Sequence, residues 1–510
     1  MELASTSVVV DIGAASTRVG YAGEGNPYQL LNSCIGVRQP CNPVGNSNTT
    51  GGNRNGGIRE IIFPLNFSER RDGVEVVSAL FPTWYGSSGK RKGDSSPSYT
   101  LNEEAFETLV ALSCTGARSH RLRFREGGIP ADGSSANGIG TTLHSNLRLT
   151  ELCGIGADLR EQPLLISEPN IHCRSIREKM AEILFEGLQV GSLYTAKRAL
   201  LSCVALGRSS AMVIDVGASG LSIAPVSDSF VLDQHVAEWP VGGDAMSQLL
   251  GTVLMGHNYP VHPSFARFSA HGRMSKIALD RPGDWDNIHA SYMHWSRMQT
   301  LSFIKEGLCR VADDPRDVTF ARKPIVLPSQ QQQAKRRGGA AAASPDCPVT
   351  SQLLFPCLSG PSAAALLSSA SGSEGGVMEL PDGTRLEADQ VSMKAGGGGG
   401  FPGLPEAVRQ VAEAVETDGN RDILSVLILT GGCSCIPGMV ERVNRELVDD
   451  PAVCGGQKVR LLAVPGSQER RFSAWVGGSM LASLSSFQAA WCSREEYEEH
   501  GPAVVQRKCY

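Results

Sequence analysis

The sequence has no surplus of positive charge. Its 52 Asp and Glu outnumber its 47 Lys and Arg, giving a formal net charge of -5. Nucleic-acid binders usually show a basic total or a basic face, so direct sequence-specific nucleic-acid binding is not expected. The longest apolar runs stop far short of the roughly 18 residues that span a bilayer, so no membrane role is expected either. Met1 to Ser7 is short and carries only Glu2 as a charge, unlike a secretory leader. The 14 cysteines do not pair at metal-ligand spacing. Cys433 and Cys435 form only a C-x-C, whereas zinc sites need a second cluster or added His. Reduced thiols in the cytosol or nucleus are the expectation.

What is present fits an ordinary protein with a real core. Of its 510 residues, 41% are hydrophobic and 19% charged, enough for two or more domains. Ordered stretches alternate with biased ones. Residues 39–57 are Asn/Gly-rich, 85–98 Gly/Ser/Lys-rich and 126–140 Gly-rich, all read as loops. Residues 323–376 join a Gln run, Lys335-Arg336-Arg337, an Ala run and a Ser-rich tail, a composition that cannot bury enough apolar surface to order itself. Between them, Leu164 to Ile166 reads as a short strand. Helices are expected over 176–187, 193–206, 292–312, 404–415 and 437–447, a buried strand over 424–429, and an apolar helical region over 472–491.

Two Asp-x-Gly turns carry the first chemistry. Asp11-Ile12-Gly13 follows Val8-Val9-Val10, and Asp215-Val216-Gly217 follows Met212-Val213-Ile214; each leads into a second strand. A tight turn leaves backbone N–H groups free to cradle phosphate oxygens, glycine permits close approach, and a strand-end carboxylate suits a hard cation. One such turn is ordinarily only a hairpin. Two of them, about 200 residues apart, suit a duplicated domain clamping a nucleotide between halves. A third element is Leu429-Thr430-Gly431-Gly432, a buried strand running into paired glycines; alone it is a plain strand-to-helix loop.

Together the three elements resemble the actin and sugar-kinase superfamily, and the C-terminal part narrows the resemblance to the actin family. Glu469-Arg470-Arg471-Phe472-Ser473-Ala474-Trp475-Val476-Gly477-Gly478-Ser479-Met480-Leu481-Ala482-Ser483-Leu484 is similar to that family's signature. So are Glu496-Tyr497 through Arg507-Lys508-Cys509, Arg177-Glu178-Lys179-Met180, Ile304-Lys305-Glu306 and Glu379 to Gly383, in matching order. The resemblance covers residues 8–36, 163–312 and 377–510. Within the family it is nearest to the nuclear actin-related protein 4 class, through Pro240-Val241-Gly242-Gly243-Asp244, Val443 to Leu447 and Glu495 to Glu499.

The resemblance implies an α/β, actin-like ATPase fold: two related lobes, each with a mixed five-stranded sheet flanked by helices, and a nucleotide cleft between them. Residues 1–210 would form the first lobe, with a divergent small upper subdomain near 38–100 and an insertion near 118–145. Residues 211–470 would form the second, with the insertion 323–376, and 471–510 would return to the first lobe. ATP and Mg2+ are the implied cofactors. Asp11, Gly13, Arg18, Asp215, Gly217 and Gly220 match the phosphate turns, with Asp11 and Asp215 toward the metal. Lys305 and Glu306 match positions near the ribose and adenine; Gly243, Gly431, Gly432 and Arg471 match the pocket.

Other positions depart from the family. Ala14 replaces a serine that contacts the terminal phosphate, Ala218 an aspartate, Ser302 an arginine and Ile436 a tyrosine beside the adenine. Arg198 stands where a glutamine positions the attacking water. A guanidinium has no acceptor for a water proton, and phosphoryl transfer depends on placing the nucleophile. Little or no hydrolysis is therefore expected. Filament contacts also look rewritten, by residues 38–160 and by Met393-Lys394-Ala395 with the following glycines, so no homopolymer is expected. The class implies a structural subunit of a nuclear chromatin-remodelling or histone-acetyltransferase complex, beside actin on a helical scaffold segment. Phe472, Trp475, Met480 and Trp491 are groove candidates for such a helix, or else core. The competing readings are a divergent cytoskeletal actin that binds and hydrolyses ATP, and a small-molecule kinase, which the Arg-Lys-Cys tail opposes. The nucleus is the expected location, with the cytoplasm second; Lys90-Arg91-Lys92 and Lys335-Arg336-Arg337 read as import signals or as solvated loops.

Overall fold

A computed structural model describes residues 6–39, 59–83, 98–116, 147–149, 153–256, 261–266, 285–311, 377–379, 385–387, 403–449 and 458–509. The four biased loops, apart from edge residues, both basic triplets and the Met393 to Gly400 stretch lie outside them.

Val8–Ile12 is fully buried and β-branched almost throughout, which suits a strand covered on both faces. It pairs antiparallel with Ser16–Tyr21 and parallel with Leu164–Glu168. Ala211–Val216 repeats the pattern, antiparallel with Leu221–Ser227 and parallel with Val426–Thr430. Each trio anchors one mixed sheet with its own apolar core.

The sheets have six strands each, not five. In the first, Cys492–Ser493 adds antiparallel to the edge strand Ser192–Lys197. In the second, Ala237–Trp239 joins Leu221–Ser227 beside the five-strand path. A four-stranded sheet of Val74–Ser78, Cys34–Arg38, Glu60–Phe63 and Leu147–Leu149 stands apart. Trp475, Trp491, Tyr497, Val505 and Cys509 from the end of the chain all enter the first lobe's core.

The helix expected over 193–206 begins only at Arg198. Ser192–Lys197 is instead a strand, parallel to Leu164–Glu168. Tyr194 and Thr195 favour strand, and pairing on both sides overrides the apolar spacing that suggested a helix. The helix Leu404–Thr417 shows the usual cause: buried Leu404, Ala407, Val408, Val411, Ala412 and Val415 lie on one face.

The groove candidates divide. Trp475 is fully buried, and its Nε1 donates to the Val9 carbonyl at 3.1 Å. Trp491 is buried against Tyr194 and Phe487. Both are core, because the helix Ser473–Ser483 lies directly on the first sheet and on Arg198–Ala205. Gly478 permits that approach: a Cβ there would sit 2.9 Å from Val9 Cγ1. Met480, on the outer side, is 43% exposed.

Candidate functional site

Both Asp-x-Gly hairpins form as expected. Gly13 N–H donates to the Ser16 carbonyl at 3.0 Å, and Gly217 N–H to that of Gly220 at 2.9 Å. Each aspartate is the last residue but one of a central strand, near the carboxyl edge where open α/β sheets place ligands. In the second lobe Asp215 lies in register with Thr430. The next residue, Gly431, has φ of 92°, and a Cβ there would strike Asp215 Oδ1 and come within 2.5 Å of the Val216 carbonyl. The paired glycines therefore let the second and third elements close on each other. Gly432 faces open space.

The two aspartates share one electrostatic cluster. Asp11 is 2% exposed. Its Oδ2 takes Arg18 Nη1 at 2.8 Å, and its Oδ1 accepts the Ser167 hydroxyl at 2.6 Å. Ser167 Oγ in turn accepts Ile12 N–H at 3.2 Å. Arg198 opens its helix beside this hairpin: Nη2 donates to the Ile12 carbonyl at 2.7 Å, and Nε lies 3.8 Å from Asp11 Oδ1. Burial raises the Asp215 pKa and the Asp11 charge adds to the rise, while Arg198 and Arg18 oppose it. Burial works against the Arg198 charge, but Asp11, Tyr99, Asp215 and Glu238 outweigh it and hold its pKa above the ordinary arginine value.

A second layer lies behind the hairpins and joins the lobes. Tyr99 Oη donates to Glu238 Oε2 at 2.8 Å, and Asn170 Nδ2 donates to Ser222 Oγ at 2.9 Å. Asn170 Oδ1 also accepts Ala199 N–H, fixing the start of the Arg198 helix. Lys197 pairs with Asp233. Burial lifts the Glu238 carboxyl to about 7 with help from Asp215, against Tyr99, Arg198 and Ser222.

Sequence reasoning missed Ser167, Tyr99, Asn170 and Glu238. Ser167 was within reach: Val10 pairs with Ile166, so the next residues, Asp11 and Ser167, fall side by side. Tyr99 sits in the stretch that resembles the family only faintly.

The pocket positions cluster unevenly. Gly243 N–H donates to the Gly217 carbonyl at 2.9 Å. Buried Lys305 reaches the same place, its ammonium donating to the Gly243 carbonyl at 2.6 Å and to Ser247 Oγ at 2.9 Å. Arg471 lies 5.9 Å over the Phe472 ring, and Arg18 lies 5.7 Å from that ring. Glu306 departs from the cluster: it is exposed, one step round the helix from Lys305. Neighbours on a helix are turned about 100° apart, so Lys305 points into the core here while Glu306 lies at the surface.

An anionic ligand fits these residues. The Nε atoms of Arg18 and Arg198 are buried without a hydrogen-bond partner, and unmade donors in buried sites are costly. The Lys305 ammonium donates only to two neutral oxygens in this site. A magnesium ion fits poorly. Both Asp11 oxygens already accept strong donors, and Ala218 offers no oxygen side chain. Among the described residues no three His, Cys, Asp or Glu converge as a metal site. Among them too, no helix is long and apolar enough to cross a membrane.

The sequence profile described as Actin matches residues 2–510. The chain is 33% identical to Actin-related protein 4 of Oryza sativa subsp. indica, over 68% of this chain and 71% of the relative. It is 29% identical to Actin-related protein 4 of Arabidopsis thaliana, over 69% and 73%. Along 99% of its length it is 28% identical to Actin-related protein 4 of Mycosarcoma maydis, covering 98% of that protein. The family's fold is nucleotide-binding in general, in keeping with the paired hairpins and the anion-ready arginines. With its two mixed sheets, an Asp-x-Gly turn at the end of a central strand in each, and a profile match across nearly all its residues, the chain belongs to the actin family.

Proposed function

We propose that this protein is a non-filamentous structural subunit of a nuclear chromatin-remodelling or histone-acetyltransferase complex, holding ATP between its lobes with little or no hydrolysis. The observation that carries the reading is Arg198. Its guanidinium is pinned to the Ile12 carbonyl at 2.7 Å, lies 3.8 Å from Asp11 and is within electrostatic reach of Asp215. It holds the place from which a neutral amide would orient water, and it can only donate. Bound ATP would supply a polyphosphate tail that both hairpins and both arginines can grip, joining the lobes. Arg18, Arg198 and the N–H groups of the turns would bind that tail; Gly431 and Gly432 would admit the flat base.

Similarity to proteins named Actin-related protein 4 supports the placement in a nuclear assembly, beside actin and a scaffold helix. Exposed Met480 and Leu484 on the outer side of the Ser473–Ser483 region are the apolar side chains left for such a contact. The experiment has two arms. Affinity purification from nuclear extract should recover actin with a remodelling ATPase or acetyltransferase, whereas recovery of filament-binding proteins would favour a divergent cytoskeletal actin. Phosphate release by the pure protein should be near background, and Arg198→Gln should raise it. Robust turnover by the unmodified protein would refute the reading.

A further inference from the structure

We infer that the nucleotide is held as a metal-free anion, with the guanidiniums of Arg18 and Arg198 serving where a magnesium ion would bridge phosphate and carboxylate. The inference rests on the nucleotide reading above and goes beyond it.

Magnesium demands a near-octahedral set of oxygens at about 2.0–2.1 Å. The Asp11 carboxylate is already engaged on both oxygens, by Arg18 at 2.8 Å and by Ser167 at 2.6 Å. Ser167 cannot turn away cheaply, because its oxygen also accepts Ile12 N–H. Arg198 lies between this hairpin and the second lobe, 3.8 Å from Asp11 and within electrostatic reach of Asp215. The two guanidiniums already hold the approach to Asp11, so a divalent cation entering there would have to displace them. The two carboxylates and two guanidiniums cancel, so the cluster itself imposes no repulsion on an anion. Both arginines also keep a buried Nε–H without an acceptor. Arginine forks suit phosphate oxygens, so a phosphate bound here would satisfy donors that the protein alone leaves unmet.

The test is nucleotide binding by the full-length protein, stripped of endogenous nucleotide, measured by equilibrium dialysis with labelled ATP. One set contains magnesium and the other excess EDTA. Wild-type affinity should agree between the two within about threefold, a difference well under 1.4 kcal/mol. Arg198→Gln should lose about tenfold or more in EDTA and recover with magnesium; Arg198→Lys, which keeps the charge, should stay insensitive to the metal. Binding by wild type only when magnesium is present would overturn this inference and leave the nucleotide reading intact. Binding in neither buffer would overturn both. Far-ultraviolet circular dichroism confirms that each variant is folded before its affinity is read.

Discussion

Replacing Glu238 by Gln should make the protein more stable at neutral and alkaline pH while leaving it unchanged in acid. Glu238 is the middle residue of the short strand Ala237–Trp239 and accepts the Tyr99 hydroxyl across the lobe boundary at 2.8 Å. Burial raises its carboxyl from the ordinary 4.5 to about 7. A raised acid means that the folded state binds more protons than the unfolded state between those values. Stability from this group is then full below 4.5 and falls as pH climbs through about 7. At about 1.4 kcal/mol per pH unit, the span corresponds to roughly 3 kcal/mol. Glu238 keeps part of its surface exposed, and its charge also favours Arg198, so roughly 3 kcal/mol is a ceiling. A Gln side chain mimics the protonated acid and can still accept from Tyr99. Urea unfolding followed by tryptophan fluorescence, at about pH 4 and about pH 8, gives the comparison. The variant should match wild type at the lower pH and exceed it by about 1–3 kcal/mol at the higher. Equal pH slopes in the two proteins would show that Glu238 is not held neutral.

Three further outcomes follow from the same structure. Arg177→Met should cost about 3–5 kcal/mol in urea unfolding, because it leaves Glu168 charged and buried and removes the donor to the Cys509 carbonyl at 2.8 Å. Gly431→Ala should reduce ATP retention on a desalting column, since its positive φ and the nearby Val216 carbonyl leave no room for a Cβ. If the protein forms no homopolymer, pure protein in polymerising salt should stay in the supernatant after high-speed sedimentation; a pellet that grows above a critical concentration would refute the non-filamentous reading.

The hairpin aspartates were legible in the sequence because local chemistry alone makes them: β-branched strands, a tight turn and glycine need no distant partner. Their meeting was not local. It depends on Gly431 closing against Asp215 within the second lobe, on Arg198 reaching Ile12 within the first, and on the links between lobes from Tyr99 to Glu238 and from Asn170 to Ser222. The strand Ser192–Lys197 was misread because its apolar spacing suits a helix; only its neighbours on either side make it a strand. Trp475 shows the reverse problem. The family resemblance left it open between a docking groove and core; its full burial and the internal acceptor that Val9 gives its indole N–H make it core. The Tyr99–Glu238 link was invisible because the two partners lie 139 residues apart, one of them in the divergent upper region.

The most direct test of the central claim follows one molecule of ATP. The purified full-length protein is loaded with ATP labelled on its terminal phosphate, freed of unbound nucleotide and sampled over hours. The account requires that the label stay with the protein as intact ATP, with little free phosphate. Steady conversion to ADP and phosphate by the wild-type chain would contradict it.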